Sequence, residues 1–213
     1  MRLIAMSRPA VDDVPDTTAL LAYCARVSSI GNQPNHGTGG KLLRSLVARK
    51  EWSPFEMVSA TFEIETTRDI ARQILRHRSF SFQEFSQRYA AVVEPPVLRG
   101  ARMQDTADRQ NSVETRNRLL HEQWMDAQNA VSDSAARAYQ WALDNGIAKE
   151  VARAVLPEGM TSSRLYMAGT LRSWLHYLEL RCDRKTQKEH RLIAQAVSDV
   201  LKEQLPDLKD LLP

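Results

Sequence analysis

The densest run of chemistry-bearing residues lies between Arg68 and Arg88, where five arginines (Arg68, Arg72, Arg76, Arg78 and Arg88) and His77 face only Asp69 and Glu84. Guanidinium groups bind phosphate or carboxylate through two parallel N–H bonds, a geometry that lysine lacks. Arg68, Arg72 and Arg76 recur every four residues, so a helix would stack them on one face with Gln73 and His77 close by. Two readings of that face compete. Arg68 reads as part of a solvated face paired with acids, whereas Arg76 and Arg78 flank a histidine, precede an aromatic loop, and read as ligand-binding. In that stretch, a loop or short strand, Phe80, Phe82 and Phe85 are interleaved with small polar residues. Ser86 follows it, but no Ser-His-Asp arrangement is legible and an unactivated hydroxyl is a poor nucleophile, so Ser86 reads as a binder of phosphate.

The run 76–89, RHRSFSFQEFSQRY, carries Arg-His-Arg followed after seven residues by Ser86. Around it stand Ala71-Arg72-Gln73, Glu84 and Ser86-Gln87-Arg88-Tyr89. Farther off are Ser53-Pro54-Phe55-Glu56, Glu150-Val151-Ala152-Arg153 with Leu156-Pro157, and Leu180-Arg181 with Gln187. Taken together these resemble the flavin-dependent thymidylate synthases over nearly the whole chain. The resemblance implies reductive methylation of dUMP to dTMP. Methylenetetrahydrofolate would give the carbon, FAD would carry the hydride, and NADPH would be the reductant. It places Gln73, Arg76, Glu84, Ser86, Gln87, Arg88, Arg153 and Arg181 around dUMP. Ser28, Ser53, Arg76, His77, Arg78, Ser79, Glu84, Thr170, Arg172 and His176 would contact FAD. Arg181 would be the catalytic residue, stabilising negative charge on the uracil ring. It also implies a homotetramer with shared active sites.

The residues support this independently of the name. Arg181 follows Leu171, Trp174 and Leu178 on one helical stripe, which turns its guanidinium toward the core side. For Ser28 and Ser53 a plain loop or cap role is equally open, as is a structural role for His176. Three positions depart from the family pattern: Met57 and Lys185 stand where histidine is common, and Thr170 where asparagine is usual. A nucleic-acid module, with Arg76, Arg78 and Arg88 clamping phosphates and the phenylalanines stacking bases, is the rival from another class. A hydrolase using His77 with Ser79 or Ser81 is a third, without a residue to orient the histidine.

Composition sets the frame for these residues. The 213 residues are 43% hydrophobic, with net charge +3, which fits one core and does not demand a nucleic-acid partner. Neither a signal-peptide core nor a bilayer-length apolar window occurs, so the expectation is a cytoplasmic enzyme without a membrane partner. Cys24, Cys182, His36, His121 and His190 show no ligand spacing, so no metal is expected and the cysteines are assigned to packing.

The elements follow from periodicity. Strands are expected at residues 2–6 and 57–66, where Val58, Ala60, Phe62 and Ile64 alternate, and a third at 88–93, ended by Pro95-Pro96. Helices are expected after Asp16 or Thr17, with Leu20, Leu21, Cys24 and Val27 apolar, over 42–47, from about 67, over 112–145, over 148–156, along the stripe 171–178, and over 186–205. Residues 31–40, with four glycines and a proline, read as a loop, and 160–168 fits strand or helix. The sum is an α+β fold over 1–213: a single domain with a small, mostly antiparallel sheet flanked by helices, and a long helical C-terminal half.

Overall fold

The computed structural model describes all residues, Met1–Pro213, and the fold is α+β with a small antiparallel sheet. Its strands are β1 (Arg2–Met6), β2 (Ser59–Thr67), β3 (Ser81–Glu84) and β6 (Ser162–Thr170), in the order β1-β2-β6-β3, with β4 (Arg102–Gln104) and β5 (Ser112–Glu114) forming a separate hairpin. The helices are α1 (Thr17–Ala25), α2 (Gly39–Ala48), α3 (Arg68–Ile74), α4 (Arg118–Asp144), α5 (Lys149–Ala152), α6 (Leu171–Arg181) and α7 (Lys188–Gln204). No helix is long and apolar enough to cross a membrane. The chain forms two compact units interleaved in sequence, one made of Met1–Ile64, His77–Phe82 and Tyr166–Pro213, the other of Glu65–Arg76 and Gln83–Leu165.

In the first unit β1 pairs antiparallel with β2, and the alternation of β2 buries Ala60, Phe62 and Ile64. Trp174 packs edge-on against Phe62 at 4.9 Å and its indole N–H donates to the Ala60 carbonyl at 3.1 Å. That single bond lets a large amphipathic ring be fully buried without an orphaned donor. The Asp16 carboxylate caps α1 by accepting from the Ala19 N–H at 2.8 Å. α1 ends at Ala25, so Val27 lies beyond it and is 69% exposed instead of packed. The stretch expected as a loop, 31–40, is entered by one short 3-10 turn, Ile30–Asn32, and holds a second, His36–Thr38, and its last two residues already belong to α2, which starts at Gly39.

In the second unit α3 follows β2 directly and buries Ile70, Ala71 and Ile74. Its start is clamped: Arg99 donates to both carboxylate oxygens of Asp69, at 2.8 and 2.9 Å, and to the Thr67 hydroxyl at 2.7 Å. Burial alone would raise the Asp69 carboxyl, yet the Arg99 and Thr67 hydrogen bonds and the Arg99 charge hold it below the ordinary range. α4 begins at Arg118, later than expected, because residues 112–114 pair with β4. It ends as expected at Asn145-Gly146, where Gly146 takes a φ of 74° that a side chain would resist. Tyr139, Ala142 and Ala152 form a small core with Val92 and Leu156.

The strand expected at 88–93 does not form. The Ser86 carbonyl accepts from both Tyr89 N–H and Ala90 N–H, which closes a turn, and the Val92 N–H is taken by the Tyr139 hydroxyl at 3.1 Å. Tyr89 and Val93 are left exposed, so the apolar spacing there has no sheet face to fill. The ambiguous stretch 160–168 resolves as strand from Ser162 onward, because β6 alternates with Ser163, Leu165 and Met167 buried.

Candidate functional site

The sequence-predicted residues fall into two groups, one in each unit. In the second unit α3 carries the arginines at four-residue spacing, and their local partners differ. Arg72 pairs with Glu158, and Arg68 donates to Glu84 at 3.4 Å, so both are paired with acids, although Arg68 is half-buried and not on a solvated face. Arg76 is exposed and has no acid partner. Gln73 sits half-buried on the same helix. Glu84, at the end of β3, also accepts from the Ser163 hydroxyl at 2.7 Å. One carboxylate oxygen of Glu84 thus takes both bonds, which fixes the side chain and leaves the other oxygen for a ligand.

Ser86 is exposed at the start of its turn. Gln87, next to it, is 3% exposed and its amide nitrogen has no hydrogen-bond partner. A buried N–H₂ left unpaired costs about 1–3 kcal/mol, which a ligand acceptor would offset. Arg88 reaches Glu150 at 3.1 Å across an exposed surface, and Arg153 stands half-buried in a one-turn 3-10 helix, Arg153–Val155. The exposed Arg88 pair holds weakly and would yield to a dianion.

In the first unit the segment His77–Phe82 lies against α6. The Ser79 carbonyl accepts from the Ser173 hydroxyl at 3.1 Å, and the Thr170 hydroxyl, 3.2 Å from that of Ser173, accepts from the Ser173 N–H and so caps α6. Threonine therefore does at this position the capping that asparagine also does well. Arg78 and Ser79 are exposed and Arg78 has no acid partner. Ser28 and Ser53 are exposed too, Ser53 opening the 3-10 turn Ser53–Glu56. Arg172 is held by Glu56, and the His176 ring stands edge-on to Trp52 at 4.6 Å.

Arg181, the last residue of α6, donates from Nε to Nε2 of His77 at 2.9 Å. A ring nitrogen that accepts from a guanidinium is unprotonated, so His77 is neutral with its proton on Nδ1. Burial, then the Arg181 charge, pushes His77 down to about 4. Behind it lie two residues that the spacing of the sequence did not single out. Tyr177 packs edge-on to His77 at 5.0 Å, and its hydroxyl is 3.1 Å from Nε2 of His190, which is fully buried. Burial, then the charge of Arg181, then His77, pushes His190 down to about 3. A signal was present: His190 opens the buried stripe of α7 that continues with Ala194, Val197, Ser198 and Leu201, and a histidine there needs a partner.

Both histidines have folded pKa values below the unfolded value of about 6.5. As pH falls through 6.5 the unfolded chain takes up protons that the folded chain refuses, so stability falls with pH until about 4 for His77 and about 3 for His190. The urea midpoint should therefore drop steadily from pH 7 to pH 5, above most carboxylate titration. A midpoint constant over that range would contradict neutral burial of the pair.

Three comparisons bear on this arrangement. Residues 10–207 match the family model described as thymidylate synthase complementing protein. The chain is 44% identical over 207 residues to the probable flavin-dependent thymidylate synthase of Paramecium bursaria Chlorella virus 1, covering 97% of this chain and 95% of that one. It is 47% identical over 210 residues to the flavin-dependent thymidylate synthase of Synechocystis sp., with the same coverage, 97% and 95%. Among solved structures it is similar to a UMP/dUMP methylase from Streptomyces cacaoi bound with 5-Br dUMP, with a TM-score of 0.84, 28% identity, and 98% and 92% of the two chains covered.

Proposed function

The chain belongs to the family of flavin-dependent thymidylate synthases and is an enzyme of that class, and from that premise we propose that it methylates dUMP to dTMP with methylenetetrahydrofolate, FAD and NADPH. The observation that carries the substrate reading is Gln87, a buried amide without a partner beside Ser86 and on the segment that carries Arg88. Gln73, Arg76, Glu84, Ser86, Gln87, Arg88 and Arg153 would hold dUMP, and unpaired arginine where a phosphate is due supports this.

The residues assigned to FAD fit an anionic cofactor: Arg78 and Arg76 are exposed without acid partners, and Ser28, Ser53 and Ser79 offer exposed hydroxyls. Arg172 would have to exchange Glu56 for the cofactor. When bound, FAD would supply the hydride, a chemistry no side chain offers. With Nε held by His77, Arg181 would present its two Nη nitrogens to N3 and O4 of the uracil and stabilise negative charge there. Burial pushes the Cys24 and Cys182 thiols up, away from thiolate, which agrees with a route that needs no cysteine nucleophile.

The whole of 1–213 would act as one catalytic domain, in the cytoplasm, within a homotetramer whose active sites are shared. Along α4, Trp124, Val131 and Ala138 recur every seven residues and are exposed, with Trp141 nearby at 63% exposure. A helix with such a face is suited to packing on another copy.

The purified protein should be yellow, its flavin spectrum should bleach with NADPH under anaerobic conditions, and it should release tritium from 5-tritiated dUMP when folate is present. A colourless protein that takes up no added FAD and releases no tritium would sink the reading. Steep salt-dependent binding to single-stranded RNA in the same preparation would favour the nucleic-acid alternative.

A further inference from the structure

We propose that Tyr177 and His190 are positioning residues for the reaction, holding His77 so that it fixes the guanidinium of Arg181. The inference rests on the proposed function, which gives Arg181 its task, but its geometry is independent of that reading. Arg181 bonds through Nε to His77 Nε2 at 2.9 Å and has no acid partner. Its orientation therefore depends on where the imidazole stands and on which of its nitrogens accepts. A guanidinium paired with a carboxylate would be fixed by charge but partly neutralised. One fixed by a neutral ring keeps its full charge for the ligand.

Apart from Arg181 itself, no charged group holds the His77 ring. Its ring is placed by edge contacts, 5.0 Å to Tyr177, 6.3 Å to His190 and 6.4 Å to Phe80. Tyr177 is 1% exposed and cannot turn its hydroxyl to water, so the bond to His190 Nε2 at 3.1 Å sets its ring. The order of support runs from α7 through Tyr177 to His77 and then to Arg181. A phenylalanine and a leucine would fill the same volumes at positions 177 and 190. The polar pair, buried at some cost, is explained by the orientation it gives.

The test uses the flavin-loaded enzyme and three variants. Tyr177→Phe and His190→Leu should each lower kcat by about 10-fold through a misplaced Arg181, with KM for dUMP and flavin content within about 2-fold of the parent. His190→Gln, whose amide can reach the tyrosine hydroxyl, should recover most of the loss. The ¹⁵N shifts of His77 should show a single Nδ1-protonated tautomer in the parent and a mixture of tautomers in His190→Leu. Unchanged kcat and an unchanged tautomer in both Tyr177→Phe and His190→Leu would overturn the proposal. So would losses in kcat that follow thermal stability alone without recovery in His190→Gln. If the parent shows no thymidylate synthesis, the functional reading fails while the tautomer measurement still decides this one.

Discussion

Arg181→Ala should lower kcat for dTMP formation by about 10²–10³-fold, the usual loss when a preorganised donor to developing charge is removed, with the protein still folded and flavin-loaded. Arg181 closes α6, is half-buried and makes one bond, to His77, so its removal deletes no part of the core. The substitution has a second expected consequence. The Arg181 charge is one of the causes that depress both His77 and His190, so both should titrate at higher pH in the variant, by NMR, although burial keeps them below the ordinary range. Arg181→Lys should not restore turnover, because an ammonium cannot both donate the same fixing bond to His77 and present a planar fork. Wild-type kcat in Arg181→Ala would remove the residue from the reaction, and unchanged histidine titration would contradict the electrostatic arrangement.

Gly169→Ala should be the most damaging small substitution for the fold of the first unit. A Cβ at 169 would lie 2.4 Å from Cδ1 and 2.6 Å from Cε1 of Phe80. Phe80 cannot give way easily: its ring packs against Trp174 at 4.7 Å and Tyr177 at 5.9 Å. Overpacking of this kind costs about 1–3 kcal/mol, and the upper end is expected here because ring and strand are both confined. Phe80 directly follows His77-Arg78-Ser79, so a displaced ring should also reduce flavin retention. Phe80→Leu in the Gly169→Ala background should return part of the stability, making the pair strongly non-additive in urea melts. Simple additivity would mean that the close approach of Phe80 to the glycine is not what position 169 requires.

The helices and the second strand were legible because burial repeats with the backbone period. Val58, Ala60, Phe62 and Ile64 are all buried, as are Leu171, Trp174, Leu175 and Leu178. The same reading failed at 88–93 and 112–114, where hydrogen-bond partners that apolar spacing does not record, the Ser86 carbonyl, the Tyr139 hydroxyl and the facing strand β4, decide between turn, coil and hairpin. Arg68 is half-buried and not on a solvated face: four-residue spacing records which face residues share, not that Glu84, held by Ser163, pairs with it.

For the candidate site, residue types and local spacing singled out Arg76, His77, Arg78, Ser86 and Arg181, since the need to gather anions is written in arginine itself. What the arginines do was decided in three dimensions. Arg72 and Arg68 are paired, whereas Arg76 and Arg78 are left without acids. Arg181 meets His77 across 104 residues, and Tyr177 and His190 stand behind it. A chain carries the identity of each donor and acceptor, but a hydrogen bond requires about 3 Å and an aligned N–H, and only packing brings residues so far apart to that distance.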